Sequence, residues 1–251
     1  MFIDCHCHLD FYKDEEIKEI VERARKKGVG IIVDNGVDPR TNRRIIGLSE
    51  KYTEIKPSLG LYPIDAISIS KEEVDKEINF IRENKGKIVA IGEVGIDFKE
   101  SEKKEEQVRQ EELFDRIVKL AIKLDKPLIV HSRKAEKECI EILEKNKAKK
   151  VIMHCFNGNL KLVKRIEENS WFLTIPTNVT FSEHFQKVIG QTKIENLLCE
   201  TDSPYLHPEK KRNNEPGNVI ESYKKIAEIK GMKFNDVEEK IGENYRRLFE
   251  L

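Results

Sequence analysis

Six histidines occur in this 251-residue sequence, and four of them end short apolar runs. His6 and His8 stand two apart in Asp4-Cys5-His6-Cys7-His8-Leu9-Asp10. His131 opens His131-Ser132-Arg133, and His154 opens His154-Cys155-Phe156. Two carboxylates hold equivalent places, Glu93 after Ala90-Ile91-Gly92 and Asp202 in Glu200-Thr201-Asp202. Imidazole suits Zn, Mn, Co or Ni, and carboxylate admits Mg and Mn. Four imidazoles with two or three carboxylates therefore suit a pair of divalent cations. One carboxylate can give an oxygen to each of two ions, and Glu93 is the candidate because its run lies between the other ligand groups. Two cations roughly 4 Å apart could share a hydroxide and clamp a scissile phosphate. His184 and His207 end no such run and are read as surface or hydrogen-bonded residues.

Spacing separates these residues from competing roles. Along an extended strand, Asp4, His6, His8 and Asp10 share one face while Cys5, Cys7 and Leu9 share the other. A mixed Cys/His zinc site is therefore disfavoured, since alternate faces cannot close on one ion. Asp4 is either an orienter of a ligand histidine or a structural hydrogen-bond acceptor. Asp10 could cap the first helix, and Glu200 could partner a nearby cation. Asp97 either supports the site or caps a turn.

These side chains need elements that bring them to one place. Apolar runs recur at residues 2–7, 30–34, 57–61, 88–92, 127–130, 151–154, 171–175 and 197–200, each short and rich in Ile, Val, Leu or Phe. Between them lie charged segments with helical stripes, such as Ile17, Ile20, Val21 and Ala24, or Leu113, Ile117, Leu120, Ala121 and Leu124. Residues 234–249 predict a closing helix. Eight units of about 31 residues each predict an α/β fold, a (β/α)8 TIM barrel, with residues 1–251 forming a single domain. Such a barrel gathers all its strand C-termini on one face, where the six candidate ligands would converge. The rival, an open doubly wound sheet, often carries a Gly-rich loop after its first strand. Here that strand runs into His6-Cys7-His8, and Gly28 and Gly30 sit before a strand.

Composition narrows the partners. The 46 Lys and Arg balance 46 Asp and Glu, so no uniformly basic surface is available for nucleic acid, and an anion must be met by a local patch or by metal. Lys210, Lys211 and Arg212 are either such a patch or a solvated loop. Hydrophobic residues at 38% suffice for a core. Five cysteines without a CxxC pair argue against a disulfide framework. With no apolar run long enough for a membrane span and no targeting signal, a cytoplasmic, monomeric protein is expected, with no membrane or obligate protein partner.

The ordered set of motifs resembles the TatD family of metal-dependent hydrolases, within the amidohydrolase-like barrels. The resemblance rests on residues 4–10, 90–97, 131–133, 154–158 and 200–206, and on Asn214-Glu215-Pro216 and the closing Asn244, Arg247, Leu248 and Phe249. It implies two divalent cations, Mg, Mn or Zn. One would be held by His6, His8 and Asp202, the other by His131 and His154, with Glu93 bridging. It also implies deoxyribonuclease activity, with DNA as substrate and Arg133 on the phosphate; the mechanism expected from this set is metal-assisted phosphodiester hydrolysis with Asp202 as general base and Glu93 as a second catalytic group. Where the family usually has Gly-x-His-Pro, this sequence has Gly60-Leu61-Tyr62-Pro63, which puts Tyr62 at a substrate-contact position. Phe98 replaces a common tyrosine, and Arg212-Asn213-Asn214-Glu215-Pro216 carries an extra asparagine. Two other classes compete: a hydrolase of small amides, lactones or esters on the same barrel, and a non-catalytic metal protein or nucleic-acid scaffold with a closed coordination shell.

Overall fold

A computed structural model describes residues 1–249. The strands are β1 (Phe2–Cys7), β2 (Val29–Asn35), β3 (Ile55–Leu59), β4 (Ala90–Gly95), β5 (Leu128–His131), β6 (Val151–Met153), β7 (Phe172–Pro176) and β8 (Leu197–Glu200). They pair in parallel and in sequence order, β1 to β8. Helices α1 (Asp14–Lys26), α2 (Pro39–Lys51), α3 (Pro63–Ser68), α4 (Lys71–Glu83), α5 (Lys104–Leu124), α6 (Glu136–Lys145), α7 (Leu160–Glu168), α8 (Glu183–Gln191), α9 (Ile220–Lys230) and α10 (Phe234–Phe249) alternate with them. The result is the expected (β/α)8 barrel. Among the described residues, no helix is long and apolar enough to cross a membrane.

Local chemistry sets the helix ends. Asp38 accepts from Thr41 N at 2.6 Å with Pro39 in the first turn of α2. Ser70 and Glu73 form a reciprocal box at α4, and Asn159 accepts from Lys161 N and Leu162 N at α7. The stripe Ile17, Ile20, Val21 and Ala24 on α1 is buried throughout; of the α5 stripe, Ile117, Leu120 and Ala121 are buried, Leu113 and Leu124 are half-buried, and Phe114 is buried beside them.

All eight expected strands are present, but several are displaced. The third begins two residues earlier than its apolar run, at Ile55, and the fourth extends to Gly95. Glu93 therefore lies inside β4 rather than past its end. Apolarity does not mark the end of this strand because Gly92, Glu93 and Gly95 interrupt it there. Those glycines are there for close approach. A Cβ at Gly95, where φ is +147°, would lie 1.9 Å from the His131 carbonyl oxygen. A Cβ at Gly60 would lie 2.3 Å from the Glu93 carbonyl oxygen. Larger residues would push apart the strands that carry Glu93 and His131.

The seam between β1 and β8 closes differently from the rest. Toward the barrel floor, the Tyr223 hydroxyl of α9 accepts from Ile3 N at 3.0 Å and donates to Ile3 O at 3.2 Å. Above it, Asp4 accepts from Thr201 N at 2.8 Å and from Thr201 Oγ1 at 2.5 Å. At the top, Asp202 N donates to His6 O at 2.9 Å and His8 N donates to Ser203 O at 2.8 Å. Asp4 is thus a structural clamp across the seam. It fixes the register of His6 and His8 against Asp202 and does not orient an imidazole through its ring.

Candidate metal centre

His6, His8, Glu93, His131, His154 and Asp202 meet at the C-terminal mouth of the barrel, as the strand ends require. Glu93 is at the middle. Its Oε1 lies 2.8 Å from His131 Nδ1 and 3.1 Å from His154 Nε2. Its Oε2 lies 3.2 Å from His8 Nε2 and 3.7 Å from His6 Nε2. Asp202 Oδ1 stands 3.5 Å from His6 Nε2 and 3.7 Å from His8 Nε2. The His6 and His8 Nε2 atoms are 3.1 Å apart, and the His6 ring stacks on His154 with centroids 3.9 Å apart.

The outer nitrogens determine which tautomer faces inward. His8 Nδ1 lies 3.0 Å from the Asn35 carbonyl oxygen, which can only accept, so Nδ1 carries the hydrogen and Nε2 presents a lone pair. His131 Nε2 lies 2.9 Å from Asp97 Oδ2. Burial acts to raise Asp97, but hydrogen bonds from His131 and Tyr62 outweigh it and bring it to about 2. Asp97 is therefore an ionised acceptor for His131 Nε2, which leaves Nδ1 as the nitrogen directed at Glu93. His154 Nδ1 faces Glu200 Oε2 across 3.4 Å, and Glu200 Oε1 accepts from Cys155 N at 2.9 Å. His6 Nδ1 is buried without a protein partner.

Three overlapping triads have donor atoms within 4.8 Å of one another: His6, His8 and Glu93; His6, His154 and Asp202; and Glu93, His131 and His154. Imidazole lone pairs and carboxylate oxygens crowded this closely are a cation-binding donor set, so the residues fit divalent metal. Their proton chemistry agrees. Burial would raise Glu93, yet His154, His131 and His8 hold it well below the usual carboxylate range. Burial would lower His8, yet Glu93 and Asp202 push it up to about 9. Protons and cations would therefore compete for the same nitrogens. Burial also raises Asp202, to about 7.

The remaining candidates fall around this centre. Asp97 does both things open to it. Its Oδ2 backs His131, and its Oδ1 accepts from Lys99 N at 2.8 Å and Glu100 N at 3.0 Å. Tyr62 reaches the site, but its hydroxyl donates to Asp97 Oδ2 at 2.6 Å and its ring meets His131 edge-on at 4.9 Å. The hydroxyl expected to meet substrate is thus already engaged. Arg133 lines the cavity, half exposed, with NH1 3.2 Å from Glu100 Oε1. Asp10 lies buried in the short 3₁₀ turn Leu9–Phe11, ahead of α1, and does not cap that helix. Lys210, Lys211 and Arg212 are exposed outside the cavity; Lys211 pairs with Glu209, and Lys210 sits 4.6 Å over the Phe181 ring. His184 and His207 are away from the cluster, His184 Nε2 bonding the Phe156 carbonyl at 3.0 Å. Sequence alone carried no signal for the Asn35 carbonyl behind His8 or for Phe11 at the rim.

The cavity above the centre holds about 660 Å³. The family model for TatD related DNases matches residues 3–250. The chain belongs to the TatD family. An uncharacterized metal-dependent hydrolase of Methanocaldococcus jannaschii is 37% identical over 251 residues, covering 99% of this chain and 96% of that protein. Human deoxyribonuclease TATDN3 is 34% identical over 262 residues, covering 98% and 94%. The crystal structure of the TatD homologue YjjV from Escherichia coli superposes with a TM-score of 0.92 at 25% identity, covering 100% of this chain and 98% of that one. This TatD-family chain is accordingly a metal-dependent hydrolase.

Proposed function

We propose that the protein hydrolyses phosphodiester bonds of DNA at a centre of two divalent cations, held by His6, His8 and Asp202 on one side and His131 and His154 on the other. One observation carries this: the two oxygens of Glu93 face different histidine pairs, the disposition needed to bridge two ions. Cations bound there would lower the pKa of a water and neutralise charge on the phosphate. The chain's own residues supply the rest. Asp202, whose carboxylate lines the cavity beside His6 and His8, can take a proton from a water there. Arg133 can turn its guanidinium from Glu100 toward a phosphate oxygen in the cavity. Asp97 keeps His131 in its inward-facing tautomer, and Glu200 sets a negative charge 3.4 Å behind His154 Nδ1. The relative named a deoxyribonuclease supports DNA as the substrate class.

The test is cleavage of labelled single- and double-stranded DNA by metal-stripped protein, with Mg²⁺, Mn²⁺ or Zn²⁺ added in turn and chelator as control. Metal-dependent cleavage is expected. Turnover of a lactone or amide panel with no DNA cleavage under any metal would overturn the proposal.

A further inference from the structure

Two of the large exposed apolar side chains sit at the rim of the catalytic cavity. Phe11 is 56% exposed and Tyr205 51%, and both line the cavity. Each follows a proposed metal ligand by three residues, Phe11 after His8 and Tyr205 after Asp202. They come from opposite sides of the β1–β8 seam and meet edge-to-face, with centroids 5.7 Å apart at 74°. Phe11 in turn meets the His8 ring at 5.9 Å and 87°. A continuous aromatic path thus runs from a ligand imidazole to solvent.

Both loops are braced, so this exposure is built into the fold. Arg44 ties down the Phe11 turn, its guanidinium donating to Asp10 O at 2.8 Å and to Tyr12 O at 2.7 Å. On the other side, Tyr205 N donates to Asp202 O at 2.8 Å. Thr177 Oγ1 donates to Leu206 O at 2.7 Å, and Thr180 Oγ1 donates to Pro208 O at 2.6 Å. Rigid exposed aromatics lose little freedom when a ligand covers them, and apolar surface concentrated at a site mouth marks a binding surface.

The charge of the cavity makes such a surface necessary. Among the described residues lining it, Arg133 is the single Lys or Arg, and it faces Glu100. Asp65 and Glu136 line the same walls. A polyanion gains little here from distributed cations, so affinity beyond the scissile phosphate must come from its other surface, the faces of the bases.

We propose that Phe11 and Tyr205 form a stacking platform for an unstacked nucleobase next to the scissile phosphate, which directs the enzyme to single strands and frayed ends. The proposal rests on the phosphodiesterase reading above. In an intact duplex both faces of each internal base are covered by neighbours, so a closed duplex offers the platform nothing. A base stacked there would lie beside the ligand-bearing loops that end in Phe11 and Tyr205.

The test is binding, measured by fluorescence anisotropy on the metal-loaded protein with phosphorothioate-linked probes so that cleavage does not intervene. Three labelled probes are compared: a single-stranded oligonucleotide, a base-free oligomer of the same backbone length, and a dumbbell duplex with closed ends. Removing a base–aromatic stack weakens binding by about tenfold to a hundredfold. The wild-type protein should prefer the single strand to the other two probes by that factor. Phe11→Ala with Tyr205→Ala should abolish the preference, and Phe11→Trp with Tyr205→Phe should restore it. Circular dichroism and thermal melting check that the variants fold. Unchanged single-strand affinity in the alanine variant, or an equal loss on the base-free oligomer, overturns the platform. If DNA cleavage by wild-type protein persists in that case, the phosphodiesterase reading stands alone. If wild-type protein cleaves no DNA with any metal, that reading fails first.

Discussion

His6 and His8 come from one strand and its immediate extension, and they have no carboxylate behind them. His8 rests on the Asn35 carbonyl, and His6 Nδ1 has no protein partner. His131 ends β5 and His154 directly follows β6; Asp97 is hydrogen-bonded behind His131 at 2.9 Å, and Glu200 stands 3.4 Å behind His154 as a counter-charge without a hydrogen bond. A carboxylate behind an imidazole raises its basicity as a ligand and fixes its ring. The half built on β5 and β6 should therefore hold its cation more tightly. The half at the β1–β8 seam, with Asp202, should be the more exchangeable. Glu93 belongs to both.

The largest effect should come from removing what the halves share. Glu93→Gln keeps the volume but not the charge. It should lower turnover on the order of 10³-fold or more and weaken both metal affinities together. Metal content by elemental analysis and affinity by calorimetry read this directly. If only one half weakened, Glu93 would be a ligand of that half alone.

Next in size is the asymmetry itself. Asp97→Asn removes the charge behind His131 and should weaken the tighter site by about 10–100-fold, leaving the seam site near its wild-type affinity. Melting temperature must be measured alongside, because Asp97 Oδ1 also holds the Lys99 and Glu100 amides. The seam half should show its character in pH dependence instead. His8 without metal is raised to about 9, so a cation binding there below that pH displaces a proton. Affinity should therefore rise with pH, by about tenfold per unit for each proton released, and level off above 9. Calorimetry in buffers of different ionisation enthalpy counts the protons. A pH-independent seam site would mean that His8 is already neutral.

The convergence of the six candidate ligands was legible in the sequence, because a barrel sends every strand's C-terminal end to one mouth and the apolar runs show where those ends are. The asymmetry between the halves was not. Asn35 backs His8 from 27 residues away, and Asp97 reaches His131 across 34. Those pairings depend on strand register. The register at β4 and β5 depends in turn on Gly95 admitting the His131 carbonyl, which an isolated Gly in an apolar run does not announce. Glu200 had the same difficulty. Its position at the end of β8 was visible, but whether it met an imidazole depended on the turn at Cys155, whose φ is +42°. Phe11 was silent for a different reason. An exposed aromatic in a loop has meaning only through its neighbour, and Tyr205 comes from the far end of the chain.

The smallest effect belongs to Tyr62, and it measures how far the carboxylate's influence extends. Its hydroxyl donates to the same Asp97 oxygen that backs His131. Tyr62→Phe leaves the ring against His131 and removes only that donor. Asp97 would then give more of its charge to His131, while its own orientation would rest on His131 and the Lys99 and Glu100 amides alone. A hydrogen bond to a charged group contributes about 1.5–3 kcal/mol, of which only the part passed on through Asp97 reaches His131, so a change of up to about tenfold in affinity at the His131 half is expected. Tighter binding would mean that the Tyr62 bond draws charge away from His131. Weaker binding would mean that its main work is holding Asp97 in place. Tyr62→His puts the usual family residue at this position. If it matches wild type at the metal but alters DNA cleavage, position 62 acts on the substrate rather than through Asp97. A shift confined to the seam half in either variant would contradict the division between the two halves, since Tyr62 touches the centre only through Asp97 and His131.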